Sequence, residues 1–249
     1  MENKIKQISK KSNEFLNSKN AFVIFLGGVL FFSIINYFLF AFNSDFEINT
    51  LFGNIVRSSS NAWIGWFEIT ISTIGSLLTI SGVILTIRFD KKFIWPLLIG
   101  EVLIIIDAII LGAFLTSFSY FLMIISAIYN YYKWNTEFDN QNKMNLTNWI
   151  IVVIFILFYI GFFTTIMFSF SDYDYKVLAD WNDIISSGIV VASWYIILRK
   201  SKWGFLGFLI TDITYLLYFF TSGVWASGSS YIVYLFIDST SFISWWNSN

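Results

Sequence analysis

The chain has 249 residues, of which 57% are hydrophobic and only 12% are charged, whereas a soluble domain carries about 25% charged residues. It contains no cysteine and no histidine, which excludes disulfides, thiolate or imidazole catalysis and the usual zinc and haem ligand sets. A net charge of −1 without a basic domain gives no support for nucleic-acid binding. The composition indicates an integral membrane protein, for which we expect no metal, no cofactor and no nucleic acid.

Eight apolar segments of about 17 to 25 residues lie between polar clusters, close to the ~20 residues that a helix needs to cross a bilayer. They run over residues 21–42, 66–87, 93–112, 117–134, 146–170, 182–198, 203–222 and 230–246. The first is longer than the apolar core of a signal peptide, so we interpret it as an uncleaved span. These segments predict an all-α integral membrane protein with about eight transmembrane helices and the lipid bilayer as a partner.

The distribution of lysine and arginine predicts the orientation of the chain. If the basic N-terminus, residues 1–20, is cytoplasmic, the inner segments hold 13 basic residues and the outer segments hold two, Arg57 and Lys176. Segments on the cytoplasmic side normally carry this excess of positive charge. We therefore expect a multi-pass protein of the cytoplasmic membrane with both termini in the cytoplasm.

A weak internal similarity relates residues 74–134 to residues 185–245 at a constant offset of 111. The informative matches are Arg88 with Arg199, Glu101 with Asp212, Tyr120 with Tyr231, and Trp134 with Trp245. The matches predict a three-helix repeat A (66–134), a linking helix (146–170), a three-helix repeat B (182–246) and an additional first helix (21–42). Both repeats begin on the same membrane face, so they are parallel and a solute site is expected between them near mid-membrane. The alternative is that the duplication only enlarges the bundle.

Four carboxylates fall well inside predicted spans, away from the span ends: Glu101, Asp107, Asp212 and Asp238. Each costs about 2.5 to 3.5 kcal/mol at the bilayer centre, so we expect them to face the bundle interior. Asp107 and Asp238 have no acidic repeat partner, which favours a role in contact with solute. For Glu101 and Asp212 a symmetric structural hydrogen bond stays an equal alternative, and Tyr215 shares the helix face of Asp212.

The last segment carries Tyr231, Tyr234, Asp238, Ser241 and Trp245 at spacings of three and four, which places them on one helix face. Aromatic faces on such a stripe can stack on a flat heterocycle or hold a cation. We predict no catalytic residue. The candidate substrate-binding residues are Asp107, Asn130, Trp134, Trp194, Asp212, Tyr215, Tyr234, Asp238, Ser241 and Trp245.

The pattern resembles the nicotinamide riboside transporter (PnuC) family over about residues 66–246. Its order of three helices, one linking helix and three more is similar, and so is the aromatic motif that ends each repeat, Gly-Trp-x-x-Trp in the family. Here Asn130, Tyr131 and Trp134 occupy the motif positions in repeat A, and Phe242 and Trp245 occupy the two aromatic positions in repeat B. A further similarity is the basic turn Arg199-Lys200-Ser201-Lys202-Trp203.

The resemblance implies a transporter and not an enzyme. It implies facilitated diffusion of a vitamin precursor, foremost nicotinamide riboside, with trapping by a cytoplasmic kinase and assembly as a homo-oligomer. Related carriers for thiamine or riboflavin are the alternatives within the family. An intramembrane enzyme, a channel or a partner subunit are the alternatives of another class, although no protease signature surrounds Asp212 or Asp238.

The orientation can be tested with single cysteines, because the chain has none of its own. A cysteine at Gln141 should react with a membrane-impermeant thiol reagent only from the cytoplasmic side, and one at Ser171 only from the outside. Equal labelling of both positions from the outside would contradict the predicted topology.

Overall fold

The computed structural model describes residues 2–50, 53–88, 90–134, 144–169, 178–199, 201–221 and 225–245. These ranges form helices, with one short antiparallel hairpin and one 3₁₀ turn at Lys91–Phe93. In chain order the elements are α1 (Glu2–Asn17), α2 (Lys19–Phe42), β1 (Glu47–Thr50), β2 (Gly53–Val56), α3 (Ala62–Ile87), α4 (Ile94–Ile110), α5 (Phe114–Trp134), α6 (Leu146–Ser169), α7 (Leu178–Leu198), α8 (Trp203–Thr221) and α9 (Trp225–Ser244).

Helices α2 to α9 correspond one to one to the eight predicted spans, and no end differs by more than five residues. By length and composition, α2, α3, α6 and the segment Lys91–Ile110 can cross a membrane. Helices α5, α7, α8 and α9 contain 19 to 21 residues, which is about 30 Å at 1.5 Å per residue. The predicted fold class, an all-α multi-spanning membrane protein, is confirmed.

The segment between α2 and α3 forms a hairpin that the sequence analysis did not predict. Glu47 pairs with Val56 and Ile48 with Ile55. Both isoleucines are almost fully buried and pack with Phe40. We call the end of the bundle that carries this hairpin the hairpin end, and the opposite end, with Arg88, Lys91, Lys92, Arg199 and Lys202, the basic end.

The N-terminal segment, predicted only as a basic stretch, is the amphipathic helix α1 at the basic end. One side of α1 is buried on the end of α9, where the Ser9 hydroxyl donates to the carbonyl of Ser244 at 3.0 Å. At its other end, Arg88 donates from Nε to the carbonyl of Leu16 at 2.8 Å and from Nη2 to that of Ser18 at 2.7 Å. Arg88 thus supplies partners for carbonyls that the end of a helix leaves free. Helix α1 therefore joins α3 to α9.

Small residues allow α3 and α4 to approach each other closely. A Cβ atom on Gly82 would lie 2.8 Å from the Cβ of Leu97, and one on Gly100 would lie 2.6 Å from the backbone nitrogen of Thr79. Such contacts are typical of helix pairs in membranes, where association depends on close packing. The packing fixes the angle at which α3 and α4 present their polar residues.

The helices pack in two similar groups, unit A (α3, α4, α5) and unit B (α7, α8, α9). In unit A, α3 contacts α4 and α4 contacts α5, while in unit B α7 contacts α8 and α8 contacts α9. The units meet where α5 contacts α7 and where α9 contacts α3. Helix α2 contacts the first helix of unit A, α3, and helix α6 contacts the first helix of unit B, α7. This pattern is the one expected for two repeats around an axis that runs along the bundle.

The Arg88 contact predicts how α1 is held. Arg88→Met removes two charge-assisted hydrogen bonds, and a loss of about 1.4 kcal/mol suffices for a tenfold change in a local opening equilibrium. We expect trypsin to cleave α1 at its exposed lysines about tenfold faster in detergent-solubilised protein. Arg199→Met is the matched control, because the Arg199 guanidinium lies over the Tyr195 ring at 5.3 Å. Equal cleavage of both variants would show that Arg88 does not anchor α1.

Candidate solute site between the two units

A buried cavity lies between units A and B, in the middle of the bundle. All six helices of the two units contribute to its lining: Thr79, Val83, Leu97, Glu101, Tyr120, Met123, Val190, Trp194, Phe208, Thr211, Asp212, Tyr215, Tyr231, Tyr234 and Asp238. Its free volume is about 50 Å³, enough for a few water molecules. We call it the central cavity.

The lining follows the 111-residue offset found in the sequence. Twelve of the fifteen residues form six pairs at that spacing, Thr79/Val190, Val83/Trp194, Leu97/Phe208, Glu101/Asp212, Tyr120/Tyr231 and Met123/Tyr234. Equivalent positions of the two units therefore face the same space. The predicted repeat therefore brings equivalent positions together at the central cavity, the place where a solute site is expected for parallel repeats.

Many polar atoms on the cavity wall have no hydrogen-bond partner among the described residues. They are Thr79 Oγ1, both carboxylate oxygens of Glu101, Trp194 Nε1, Asp212 Oδ2 and the hydroxyl of Tyr234. Glu101 and Trp194 are each 1% exposed. A buried polar atom without a partner is costly and uncommon. Six of them on one cavity indicate a place where water or a polar solute completes the hydrogen bonding.

Asp212 on α8 and Asp238 on α9 are neighbours on the cavity wall, close enough for their carboxyl groups to interact. Glu101 lies on the same cavity, and no lysine or arginine does so in the described part of the chain. The cavity is therefore acidic.

Aromatic side chains also line the central cavity. The Trp194 ring lies 6.2 Å from that of Phe208, the Tyr215 ring 5.3 Å from that of Tyr231, and the Tyr231 ring 5.6 Å from that of Tyr234. Trp194 and Phe208 lie toward the basic end of their helices, and the tyrosines lie toward the hairpin end. An aromatic or cationic solute would find a ring at either end of the cavity.

A second cavity adjoins the central one on the side of the hairpin end. Its lining is Ser72, Ser76, Ile104, Asp107, Ala108, Leu111, Thr116, Tyr120, Tyr231 and Tyr234. Along α3, α4 and α5, these positions are displaced toward the hairpin end from the residues that line the central cavity. Tyr120, Tyr231 and Tyr234 belong to both linings, so they separate the two spaces.

The structure brings half of the predicted site residues to the central cavity: Trp194, Asp212, Tyr215, Tyr234 and Asp238. Asp107 lines the second cavity. Ser241 is buried beside the cavity and donates to the carbonyl of Ile237 at 2.7 Å. Trp245 packs edge-on against Phe205 at 5.0 Å. The side chains of Asn130 and Trp134 lie outside the described part of the structure, and their part in binding stays a prediction.

Several lining residues were missing from the predicted set, among them Thr79, Glu101 and Met123. The offset held the signal for two of them, since Glu101 is equivalent to Asp212 and Met123 to Tyr234. Thr79 gave only the weak signal of a hydroxyl, which also serves in helix packing. Applying the offset to every predicted residue would have recovered Val83, Glu101 and Met123.

Two helix bundles that enclose an acidic, ring-lined cavity in a multi-spanning helical protein define a membrane transporter. Comparison with protein families agrees: the model described as nicotinamide mononucleotide transporter matches residues 69–247. This chain belongs to that family, which is one of transporters and not of enzymes, and the resemblance to PnuC proteins is confirmed.

A solved structure, the crystal structure of the vitamin B3 transporter PnuC, has a similar fold. It is 12% identical in sequence, the alignment covers 94% of each chain, and the TM-score is 0.60. At this identity the likeness concerns the fold alone. No curated protein matches the chain.

The unpartnered carboxylate of Glu101 predicts a conflict between stability and binding. Glu101→Met removes a buried charge-bearing group at similar side-chain length, so we expect the midpoint of thermal unfolding in detergent to rise by a few degrees, as about 1 kcal/mol would produce. Solute binding should weaken in the same variant. Glu14→Met on the exposed side of α1 is the control and should not raise the midpoint. A lower midpoint for Glu101→Met would show that the carboxylate stabilises the fold.

Proposed function

We propose that the protein is a uniporter for a cationic heteroaromatic nucleoside, foremost nicotinamide riboside. The observation that carries the proposal is the acidic central cavity with ring faces at both ends. A pyridinium ring brings a positive charge and a flat face in one group, so charge attraction and stacking act on the same part of the solute. The ribose hydroxyls would donate to carboxylate oxygens such as those of Glu101, which have no partner among the described residues.

The charge of the lining favours the nucleoside over its nucleotide. A phosphomonoester adds roughly −1.5 to −2 charges near pH 7. The Asp212–Asp238 pair would repel it, and no described lysine or arginine on the cavity would pair with it. We therefore propose nicotinamide riboside rather than the mononucleotide as the transported species.

Thiamine and riboflavin are the competing solutes. Thiamine carries a thiazolium cation and meets the same charge requirement, so it is the stronger alternative. Riboflavin is neutral and would gain stacking without charge pairing. Measuring the affinity of the purified protein for the three compounds decides between them. If riboflavin binds more tightly than either cation, the charge argument is wrong.

Transport requires the two units to move apart. A free volume of about 50 Å³ is far below the roughly 300 Å³ and more of pockets that bury small ligands, so the described conformation is contracted around the site. We propose that units A and B rock against each other around the solute site and expose the cavity alternately to each end, as other transporters with repeats do.

The remaining expectations are proposals of the same kind: both termini in the cytoplasm, insertion in the cytoplasmic membrane, a homo-oligomeric assembly and trapping of the solute by a kinase. Uniport is tested in proteoliposomes with labelled nicotinamide riboside. Uptake without any ion gradient should stop at equal concentrations inside and outside. Accumulation above that level under an imposed pH gradient, with the membrane potential clamped at zero, would contradict uniport, since a potential by itself concentrates a cation.

We propose that the neighbouring carboxyl groups of Asp212 and Asp238 share one proton, because two carboxylates side by side in a buried site repel each other when both are charged. Substitutions at this pair should then give an unusual result. In Asp238→Asn, the new amide donates to Asp212, which keeps the single negative charge, so affinity for nicotinamide riboside should change less than about threefold. In Asp212→Asn the charge should stay on Asp238, so the affinity should again change less than about threefold. The double variant Asp212→Asn with Asp238→Asn loses the charge, and affinity should fall by about tenfold or more if the coupling is near 1.4 kcal/mol.

Isothermal titration on the purified protein measures all three variants. If Asp238→Asn alone loses as much affinity for nicotinamide riboside as the double variant does, Asp238 carries the charge by itself. Unchanged affinity in the double variant would remove the pair from the site.

A further inference from the structure

We propose that Tyr120 and Tyr231 form the barrier that closes the central cavity toward the hairpin end, and that their mutual hydrogen bond opens each time a solute passes. The two hydroxyls lie 3.3 Å apart. With Tyr234, these residues are the part of the wall common to the central and the second cavity. A solute that moves between the two spaces must therefore pass them.

The bond lies where the two units meet. Tyr120 belongs to α5 of unit A and Tyr231 to α9 of unit B, and the residues are 111 positions apart. They are thus equivalent under the repeat, and a contact between equivalent residues lies on the axis that relates the units. Rocking of one unit against the other that opens the hairpin end therefore separates this pair directly.

Contacts within unit B hold the Tyr231 side chain in place. The Tyr231 ring packs against the Tyr215 ring at 5.3 Å, and the Tyr215 hydroxyl is hydrogen-bonded to Ser187 at 3.1 Å. Ser187 in turn donates to Asp183 at 3.2 Å. The Tyr231 side chain is therefore held by α8 and α7 and does not move independently of unit B.

A second bond between the units closes the same layer. Asp183 on α7 accepts a hydrogen bond from Thr116 on α5, one helical turn before Tyr120. The contacts form a closed ring from α5 through α9, α8 and α7 back to α5. In this ring the tyrosine bond joins two neutral hydroxyls at the long limit of hydrogen-bond distances. It can break and re-form without leaving a charge unpaired.

The test measures access to the central cavity from the hairpin end and needs no knowledge of the solute. Val83→Cys places one thiol on the central cavity of this cysteine-free chain. A membrane-impermeant methanethiosulfonate reagent is applied to proteoliposomes of known sidedness. We expect Tyr120→Phe with Tyr231→Phe to raise the rate of labelling from the hairpin end at least fivefold, because the rings stay and the bond between the units is lost.

Ser76→Cys on the second cavity should label at the same rate with and without the tyrosine substitutions, which corrects for access to the membrane surface. Tyr37→Phe is the matched control, since its hydroxyl is hydrogen-bonded to Thr70 at 2.5 Å between α2 and α3, away from both cavities. Tyr120→Phe alone replaces the double variant if the latter does not insert.

An unchanged rate at Val83→Cys in the tyrosine variants, or an equal rise in Tyr37→Phe, would overturn the proposal. Because the readout is thiol accessibility, it would leave the choice of nicotinamide riboside as the solute untouched. Conversely, if the protein does not bind nicotinamide riboside, the proposal that Tyr120 and Tyr231 form a barrier still stands.

Discussion

Keeping carboxyl groups away from hydrocarbon is the constraint on which the arrangement of this protein depends. Glu101, Asp212 and Asp238 lie inside spanning helices and are at most 6% exposed, although each would cost several kcal/mol in lipid. Units A and B turn all three to the same space between them. The central cavity is therefore where the two bundles together shelter groups that neither could shelter alone, and the close packing of α3 on α4 holds Glu101 in that direction.

The eight spans could be predicted because the hydrophobic length of a membrane helix is fixed by the bilayer. Helix α6 extends over Leu146–Ser169, for example, against a predicted 146–170. The hairpin and α1 were missed for the opposite reason. The bilayer fixes neither of them. The hairpin is stabilised by packing with Phe40 and Ile69. Helix α1 is amphipathic, so its sequence did carry a helical pattern, but only its basic residues were interpreted, and its packing depends on Arg88 and Ser244, far along the chain.

Half of the predicted residues line the central cavity because rare residues carry information and common ones do not. A carboxylate or a tryptophan inside a span is costly or large enough to suggest a role, which led to Asp238 and Trp194. Leu97 and Phe208 could not be distinguished from the many apolar residues that face lipid. That Asp212 and Asp238 are neighbours was also beyond the sequence, since it depends on the rotation of α8 relative to α9.

The lining pairs show how a duplicated unit acquires a specific site. Two pairs of equivalent positions carry the same type of side chain in both units. Tyr120 corresponds to Tyr231, and Glu101 corresponds to Asp212. Nearer the basic end, unit B carries Trp194 where unit A has Val83. Equal residues give both units the same contact to make and break, which suits the proposed alternating exposure. Unequal residues give an asymmetric solute one preferred orientation, because a ring and a cation can be held on one wall only.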